Sequence, residues 1–357
     1  MIKYLGSKRT LVPVLGAIAA ESGATSAVDL FTGTTRVAQE FKRRGLFTLA
    51  NDVATYSEVL ADCYISTDAG AVDPQEIQDT LDALNALPGR RGYFTRTFCE
   101  DARYFQPKNG ARVDAIRDAI EERYAQSWMR PILLTSLMLA ADRVDSTTGV
   151  QMAYLKQWAA RSHHDLELRL PDLLPGGGAS ARRDAGDLVA DLPRQDLVYL
   201  DPPYNQHRYF TNYHIWETLV RWDRPEAYGV ARKRIDSRDA STKSVYNRKR
   251  EMPAEMERLL HALDAELAVV SYNNESWIEP PEMMRALRDN GFEDVRLLAF
   301  DYKRYVGAQI GIYNPSGEKV GQVGHLRNLE YLFLAGSTDV VDACAARVGH
   351  LTARPAS

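Results

Sequence analysis

The segment with the most specific chemistry in this chain is Asp201-Pro202-Pro203-Tyr204. It follows Asp196-Leu197-Val198-Tyr199-Leu200, a short apolar run with β-branched and aromatic residues, which predicts a buried strand. Two prolines then end that strand, because proline has no N–H for a ladder and fixes its own φ. An acceptor carboxylate and an aromatic face are thereby held on a stiff loop past the carboxyl end of a strand. Open α/β sheets bind ligands at that edge. A polar turn that only stops a strand is the plainer alternative.

Two further strand ends carry comparable residues. Ala27-Val28-Asp29-Leu30-Phe31 predicts a first strand, and Gly33 behind it lets the backbone turn tightly or approach a ligand closely. The dinucleotide fingerprint G-x-G-x-x-G is absent, with Thr35 where a second glycine would stand. Leu46–Ala50 predicts a second strand ending at Asn51-Asp52. An acid there can accept hydrogen bonds from both hydroxyls of a ribose, cap the next helix, or do both. Ahead of the first strand, Lys3-Tyr4-Leu5-Gly6-Ser7-Lys8 is either an ordinary helix start or a clamp for a small zwitterion. In the second case Lys8 pairs with a carboxylate and Tyr4 packs on a flat or cationic group.

The elements that must position these residues alternate at both ends of the chain. Further strands are predicted near 179–183, 196–200, 267–271, 295–300 and 329–334, and a helix from near Pro281 to Gly291, with proline early and glycine late. Such alternation implies a mostly parallel sheet with helices on both faces. From about 66 to 178 the pattern is helical. Asp73-Pro74 is a good helix start, Ile77, Leu81 and Leu84 share a face, and so do Val113, Ile116, Ile120 and Tyr124. Residues 132–141 are apolar almost all round, and Pro175-Gly176-Gly177-Gly178 predicts a flexible exit.

At 357 residues, 45% hydrophobic and 26% charged, the composition is that of a soluble globular protein. No run is apolar enough to cross a membrane and the N-terminus lacks a signal peptide, so a cytoplasmic protein is expected. Cys63, Cys99 and Cys344 are too far apart to suggest a disulfide framework or a zinc site, and no metal is expected. A net charge of −4 argues against coating nucleic acid by charge alone. Yet Arg232–Arg250 holds eight basic residues against two acids, either a solvated surface loop or a local grip on phosphate.

Taken together, Lys3-Tyr4-x-Gly6-x-Lys8, Asp29-x-Phe31-x-Gly33, Asp52 and Asp201-Pro202-Pro203-Tyr204, in that order, resemble the D12 class of adenine-specific DNA methyltransferases. These are Dam-like enzymes that use S-adenosylmethionine, with the cofactor segments before the catalytic loop (the α arrangement). The likeness extends to Asn212–Trp222, Ser271–Asn274 and Tyr302–Glu330, about two thirds of the chain. It implies an α/β fold: a class I, Rossmann-like methyltransferase sheet over 1–66 and 179–335. A helical target-recognition insertion would span 67–178, and 336–357 is left as an uninterpreted tail.

Residue by residue, the resemblance implies that Tyr4 and Lys8 meet the methionine part of S-adenosylmethionine. Phe31 and Gly33 would line its pocket, Asp52 would bind the ribose and Asp184 the adenine; Asp201 is counted with this set too. Asp201 and Pro202 would accept the two hydrogens of an adenine N6 amino group, returning its lone pair to nitrogen and stabilising the charge that develops there. Tyr204 would stack on a base flipped out of duplex DNA. Phosphate contacts are expected at Arg90, Arg91 and Arg96 in the insertion and at Arg248, Lys249 and Arg250. The aromatics Tyr93, Phe94, Phe98 and Tyr104 among the former suit either stacking or the insertion's own core. Duplex DNA is the implied partner, with room for a cognate restriction endonuclease at the same site; target sequence and oligomeric state are not readable. Cytosine-N4 or RNA-adenine methylation, and a silent DNA-binding module of the same fold, remain as alternatives. A nicotinamide dehydrogenase is disfavoured by the missing glycine fingerprint.

Overall fold

A computed structural model describes residues 2–4, 8–147, 149–203, 208–274, 276–303, 312–313, 319–321 and 327–352. In chain order the main elements are α1 (Val12–Glu21), β1 (Ser26–Asp29), α2 (Arg36–Arg43), β2 (Phe47–Asn51), α3 (Thr55–Ala61), α4 (Pro74–Asn85), α5 (Pro107–Tyr124) and α6 (Arg130–Arg143). There follow β3 (Gly178–Ala181), α7 (Ala185–Asp191), β4 (Gln195–Leu200), α8 (His214–Arg221), α9 (Met252–His261) and β5 (Ala265–Asn273). The chain continues through α10 (Pro280–Asp289), β6 (Asp294–Lys303), β7 (Arg327–Gly336) and α11 (Thr338–Val348). The strands hydrogen-bond in the order β3-β2-β1-β4-β5-β7-β6. Strands β1, β4 and β5 run parallel, as do β2 and β3, and β7 is antiparallel to β5 and β6. This is the mixed α/β sheet expected from the alternating pattern. Because β1 and β4 are neighbours but not consecutive, the strand order reverses between them, where such sheets open a crevice.

The chain divides into two units, one of Met1–Val12, Phe31–Ala185 and His207–Ser244, the other of Pro13–Leu30, Gly186–Gln206 and Val245–Ser357. In the first, the stripes read from sequence are the buried faces: Ile77, Leu81 and Leu84 of α4, and Val113, Ile116 and Ile120 of α5. They join Ile132, Leu133, Leu134 and Leu137 of α6 and Trp216 of α8 in one core. Each such side chain contributes about 1.5–3 kcal/mol on burial. Phe94, Phe98 and Tyr104 are 0–1% exposed in this core, so of the two roles open to them the structure gives them packing, not stacking. The glycine run at 176–178 is more than a flexible exit. Gly178 starts β3, and a Cβ there would lie 2.6 Å from the Ile65 carbonyl oxygen, so only glycine lets the strand lie so close.

In the second unit, Asp196 at the start of β4 accepts from Thr25 N–H (2.9 Å), Thr25 Oγ1 (2.7 Å) and Ser26 N–H (2.9 Å), joining it to the start of β1. The helix expected near Pro281–Gly291 is α10, with prolines in its first turn and Gly291 beyond its end at φ +93°. The segment after β7, which the sequence left uninterpreted, is α11; its Val341, Cys344 and Val348 are buried, and Cys344 Sγ meets the Ile18 carbonyl of α1. No helix among the described residues is long and apolar enough to cross a membrane.

Candidate active site

Strand β2 is followed by Asp52, whose two carboxylate oxygens are each held by a backbone donor. Oδ2 accepts the Gly33 N–H at 2.9 Å and Oδ1 the Ala54 N–H at 3.0 Å. Asp52 thus fixes the turn after β1 and holds the residue before α3; it is not the cap its position suggested, because the N-cap of α3 is Ala54. A carboxylate has roughly four lone-pair sites, so each oxygen keeps capacity for a hydroxyl donor. Burial raises this carboxyl above its ordinary value, and the N–H groups of Ala54, Gly33 and Val53 oppose that rise. Beside it Val53 is an exposed apolar side chain, 63% accessible.

Gly33 has φ +52°, and a Cβ on it would lie 3.2 Å from the Tyr4 ring. Glycine is therefore favoured twice over, by the left-handed backbone and by the close approach of Tyr4. Thr35 occupies the left-handed conformation too, at φ 62° and ψ 13°, fully buried ahead of α2. Its N–H bonds to the Thr32 carbonyl and its Oγ1 accepts from Gln39 Nε2 at 2.8 Å. The backbone path that a glycine would take is followed here by a threonine. Phe31, part-buried, precedes this turn.

Tyr4 is the centre of an aromatic group. Its ring lies 4.6 Å from Tyr213 at 17° and 5.3 Å from Tyr209 at 22°, and its hydroxyl is 3.3 Å from that of Tyr56. Burial pushes the Tyr4 phenol well above its ordinary value, with Tyr56 and Asp52 adding to the rise, so it stays neutral and acts as a ring and a hydrogen-bonding hydroxyl. Lys8 is buried at 8% exposure, and its carbonyl accepts the Leu11 and Val12 N–H groups that start α1. Asp184 is exposed after β3, in the loop before α7, and the Asn51 side chain brackets the residue before it, bonding both Arg183 N–H and C=O.

Two residues of this group carry no signal of their own in sequence. Tyr56, on α3, reaches Tyr4. Glu217, on α8 and 2% exposed, accepts the Thr55 N–H at 3.1 Å and the Tyr56 N–H at 3.4 Å. Helix α3 has Ala54 at its N-cap and no side-chain cap of its own, so Glu217 supplies the missing acceptor from another helix. Burial raises the Glu217 carboxyl, opposed by its bonds to Thr55 and Tyr56.

In the other unit, β4 delivers Asp201 and Pro203, both part-buried, with Pro202 buried between them. The neighbouring strand β5 places the buried Tyr272 within electrostatic reach of Asp201; burial, Tyr246 and Asp201 together raise that phenol, so it too stays neutral. Tyr204 lies outside the described residues, as do Gly6 and most of the stretch between β6 and β7.

The basic residues divide sharply. Arg90 pairs with Asp118, Arg91 is bidentate on Glu100 at 2.6–2.7 Å, and Arg96 is exposed. Arg248 meets Glu251 at 2.7 Å, and Arg248, Lys249 and Arg250 are all exposed. Arg234 departs from the surface-loop reading of its run: it is 1% exposed, its guanidinium bound to Asp223 at 2.6 and 2.8 Å and to Asp236 at 2.8 and 3.1 Å. It anchors the loop instead of facing solvent. Among the described residues no cluster of His, Cys, Asp or Glu is placed to hold a metal. The three thiols are buried, and burial pushes Cys63 up to about 12 and Cys344 to about 11, which leaves them poor nucleophiles.

The family model of the D12 class N6 adenine-specific DNA methyltransferases matches residues 4–286. The type II methyltransferase M.NlaIII of Neisseria lactamica is 31% identical over 287 residues, covering 78% of this chain and 83% of that protein. The type II methyltransferase M.CviAII of Paramecium bursaria Chlorella virus 1 is 29% identical, covering 75% of this chain and 81% of its own. The modification methylase StsI of Streptococcus sanguinis is 28% identical over 329 residues, and the chain spans about half (49%) of its length.

Proposed function

Since the chain belongs to the D12 class of N6 adenine-specific DNA methyltransferases, we propose that it methylates adenine N6 at a specific site in duplex DNA, on a base turned out of the helix, by direct displacement. The observation that carries this reading is Asp52, whose oxygens each hold one backbone N–H and keep capacity for a ribose hydroxyl. S-adenosylmethionine supplies the methyl group as an activated sulfonium. The donor set suits it: a diol acceptor in Asp52, an apolar neighbour in Val53, and a glycine turn under an aromatic ring. Tyr4 and Lys8 hold the methionine end, Phe31 and Gly33 line the pocket, and Asp184 meets the adenine.

Asp201 and the Pro202 carbonyl accept the two amino hydrogens of the target base. This draws the nitrogen lone pair out of the ring and stabilises positive charge as it develops. The prolines keep the carbonyl fixed and leave no competing N–H. Tyr204 stacks on the flipped base, which cannot be reached inside a duplex. Helices within 67–178 carry target recognition. Arg90, Arg91 and Arg96, together with Arg248, Lys249 and Arg250, grip phosphates, and room is left for a restriction endonuclease of the same specificity. The buried, high-pKa thiols support a mechanism without a covalent enzyme intermediate.

The test is Asp201→Ala. Its expected result is a fall in single-turnover methyl transfer of at least about 10²–10³, with binding of S-adenosylmethionine and of DNA retained. Transfer within tenfold of wild type removes Asp201 from the chemistry.

A further inference from the structure

Lys3, directly before Tyr4, is tied down by two buried carboxylates of the α6 region. Its Nζ donates to the Asp142 carbonyl at 2.5 Å and pairs with the Asp142 carboxylate at 3.0 Å and Asp145 at 3.3 Å. Its backbone N–H also donates to the Asp142 carboxylate, at 3.2 and 3.3 Å to the two oxygens. Asp142 and Asp145 are 4% and 3% exposed, and Asp145 further holds Arg161 at 2.7 Å and the Thr147 hydroxyl at 2.6 Å. Two cations thus balance two carboxylates.

Such a cluster is a poor device for stability. Taking the charges out of water costs several kcal/mol per ion, and well-packed apolar residues often do as well or better. Geometry is what it supplies. Main chain and side chain of Lys3 are both fixed, so the next residue has little freedom, and that residue is Tyr4, packed over Gly33 and stacked on Tyr213. We infer that Asp142, with Asp145 in support, is a positioning residue: it holds the Lys3-Tyr4 strip in place, so that affinity for S-adenosylmethionine depends on helix α6 although none of the proposed cofactor contacts is on α6. The inference rests on the cofactor role proposed for Tyr4.

The experiment uses the full chain and four variants, Asp142→Asn, Lys3→Gln, the two combined, and Tyr4→Ala. S-adenosylmethionine affinity is measured by calorimetry without DNA, alongside steady-state KM and kcat and the thermal midpoint. Asp142→Asn and Lys3→Gln are each expected to weaken binding about tenfold, with the effect in KM rather than kcat. The double variant is expected to be no worse than the worse single one, because both remove the same ion pair. A folded Asp142→Asn with affinity within twofold of wild type, beside a weakened Tyr4→Ala, overturns the inference alone. Unchanged affinity in Tyr4→Ala overturns the assignment of that ring and the inference with it. Should Asp142→Asn not fold, Lys3→Gln decides by the same criterion, since its side chain is one-third exposed.

Discussion

Thr35 shows how a single residue can depart from a pattern while the backbone keeps a left-handed turn. A β-branched residue at φ 62° costs roughly 1–3 kcal/mol, and its buried hydroxyl bond to Gln39 offsets part of that. His214 is a second residue held against its preference. It is fully buried, with Nε2 2.9 Å from the Gln151 carbonyl, which assigns the proton to Nε2. Burial lowers its pKa from 6.5 to about 3, and Lys233 and Arg234 add to the effect. The unfolded chain therefore binds a proton at this residue between those values while the folded one does not, so its contribution is complete above 6.5 and is lost as pH falls toward 3. Denaturant titrations from pH 6.5 downward should show stability falling by up to about 1.4 kcal/mol per pH unit from this group, and a shallower slope in His214→Asn. Equal slopes would mean that the ring is not held neutral. Gly33 and Asp52 were legible in the sequence because glycine and acidic residues stand out at strand ends, and Tyr4 because it stands in a short segment with glycine, serine and lysine. Glu217 and Asp142 were not, because their partners lie 162 and 139 residues away and nothing local marks a carboxylate for burial.

Among the elements, α3 depends most on a residue outside itself. Glu217→Ala leaves the Thr55 and Tyr56 N–H groups without their acceptor, and the folded state should lose about 1–3 kcal/mol. The check is the urea midpoint at constant m; an unchanged midpoint would show that the first turn of α3 finds other acceptors. The strands and α10 were readable from short-range rules, apolar runs for the first and proline and glycine positions for the second. α11 was not, since its burial is set by the sheet and α1, remote in sequence. Gly178 illustrates the same limit: a glycine run looks flexible until a neighbouring carbonyl shows why no Cβ fits there.

Over the whole molecule the net charge is −4, so attraction to DNA has to come from local surfaces. The run from Arg232 to Arg250 supplies one only in part, because Arg234 is consumed by Asp223 and Asp236 while Arg248, Lys249 and Arg250 reach solvent. Replacing those three with Ala together should weaken binding equally for cognate and unrelated duplexes. The slope of log K against log salt should fall by roughly 0.9 for each phosphate no longer neutralised, and unchanged affinity at two salt concentrations would remove the loop from the interface. The mostly parallel α/β sheet was legible from alternation, and the order of its strands and the two-unit division were not, because they follow packing between segments distant in sequence. The most direct measurement of the central proposal is transfer of labelled methyl from S-adenosylmethionine to unmethylated genomic DNA, followed by nucleoside analysis. Label in N6-methyladenine, absent with Asp201→Ala, is the predicted result; label in N4-methylcytosine, or none in DNA from a protein that binds both substrates, would contradict it.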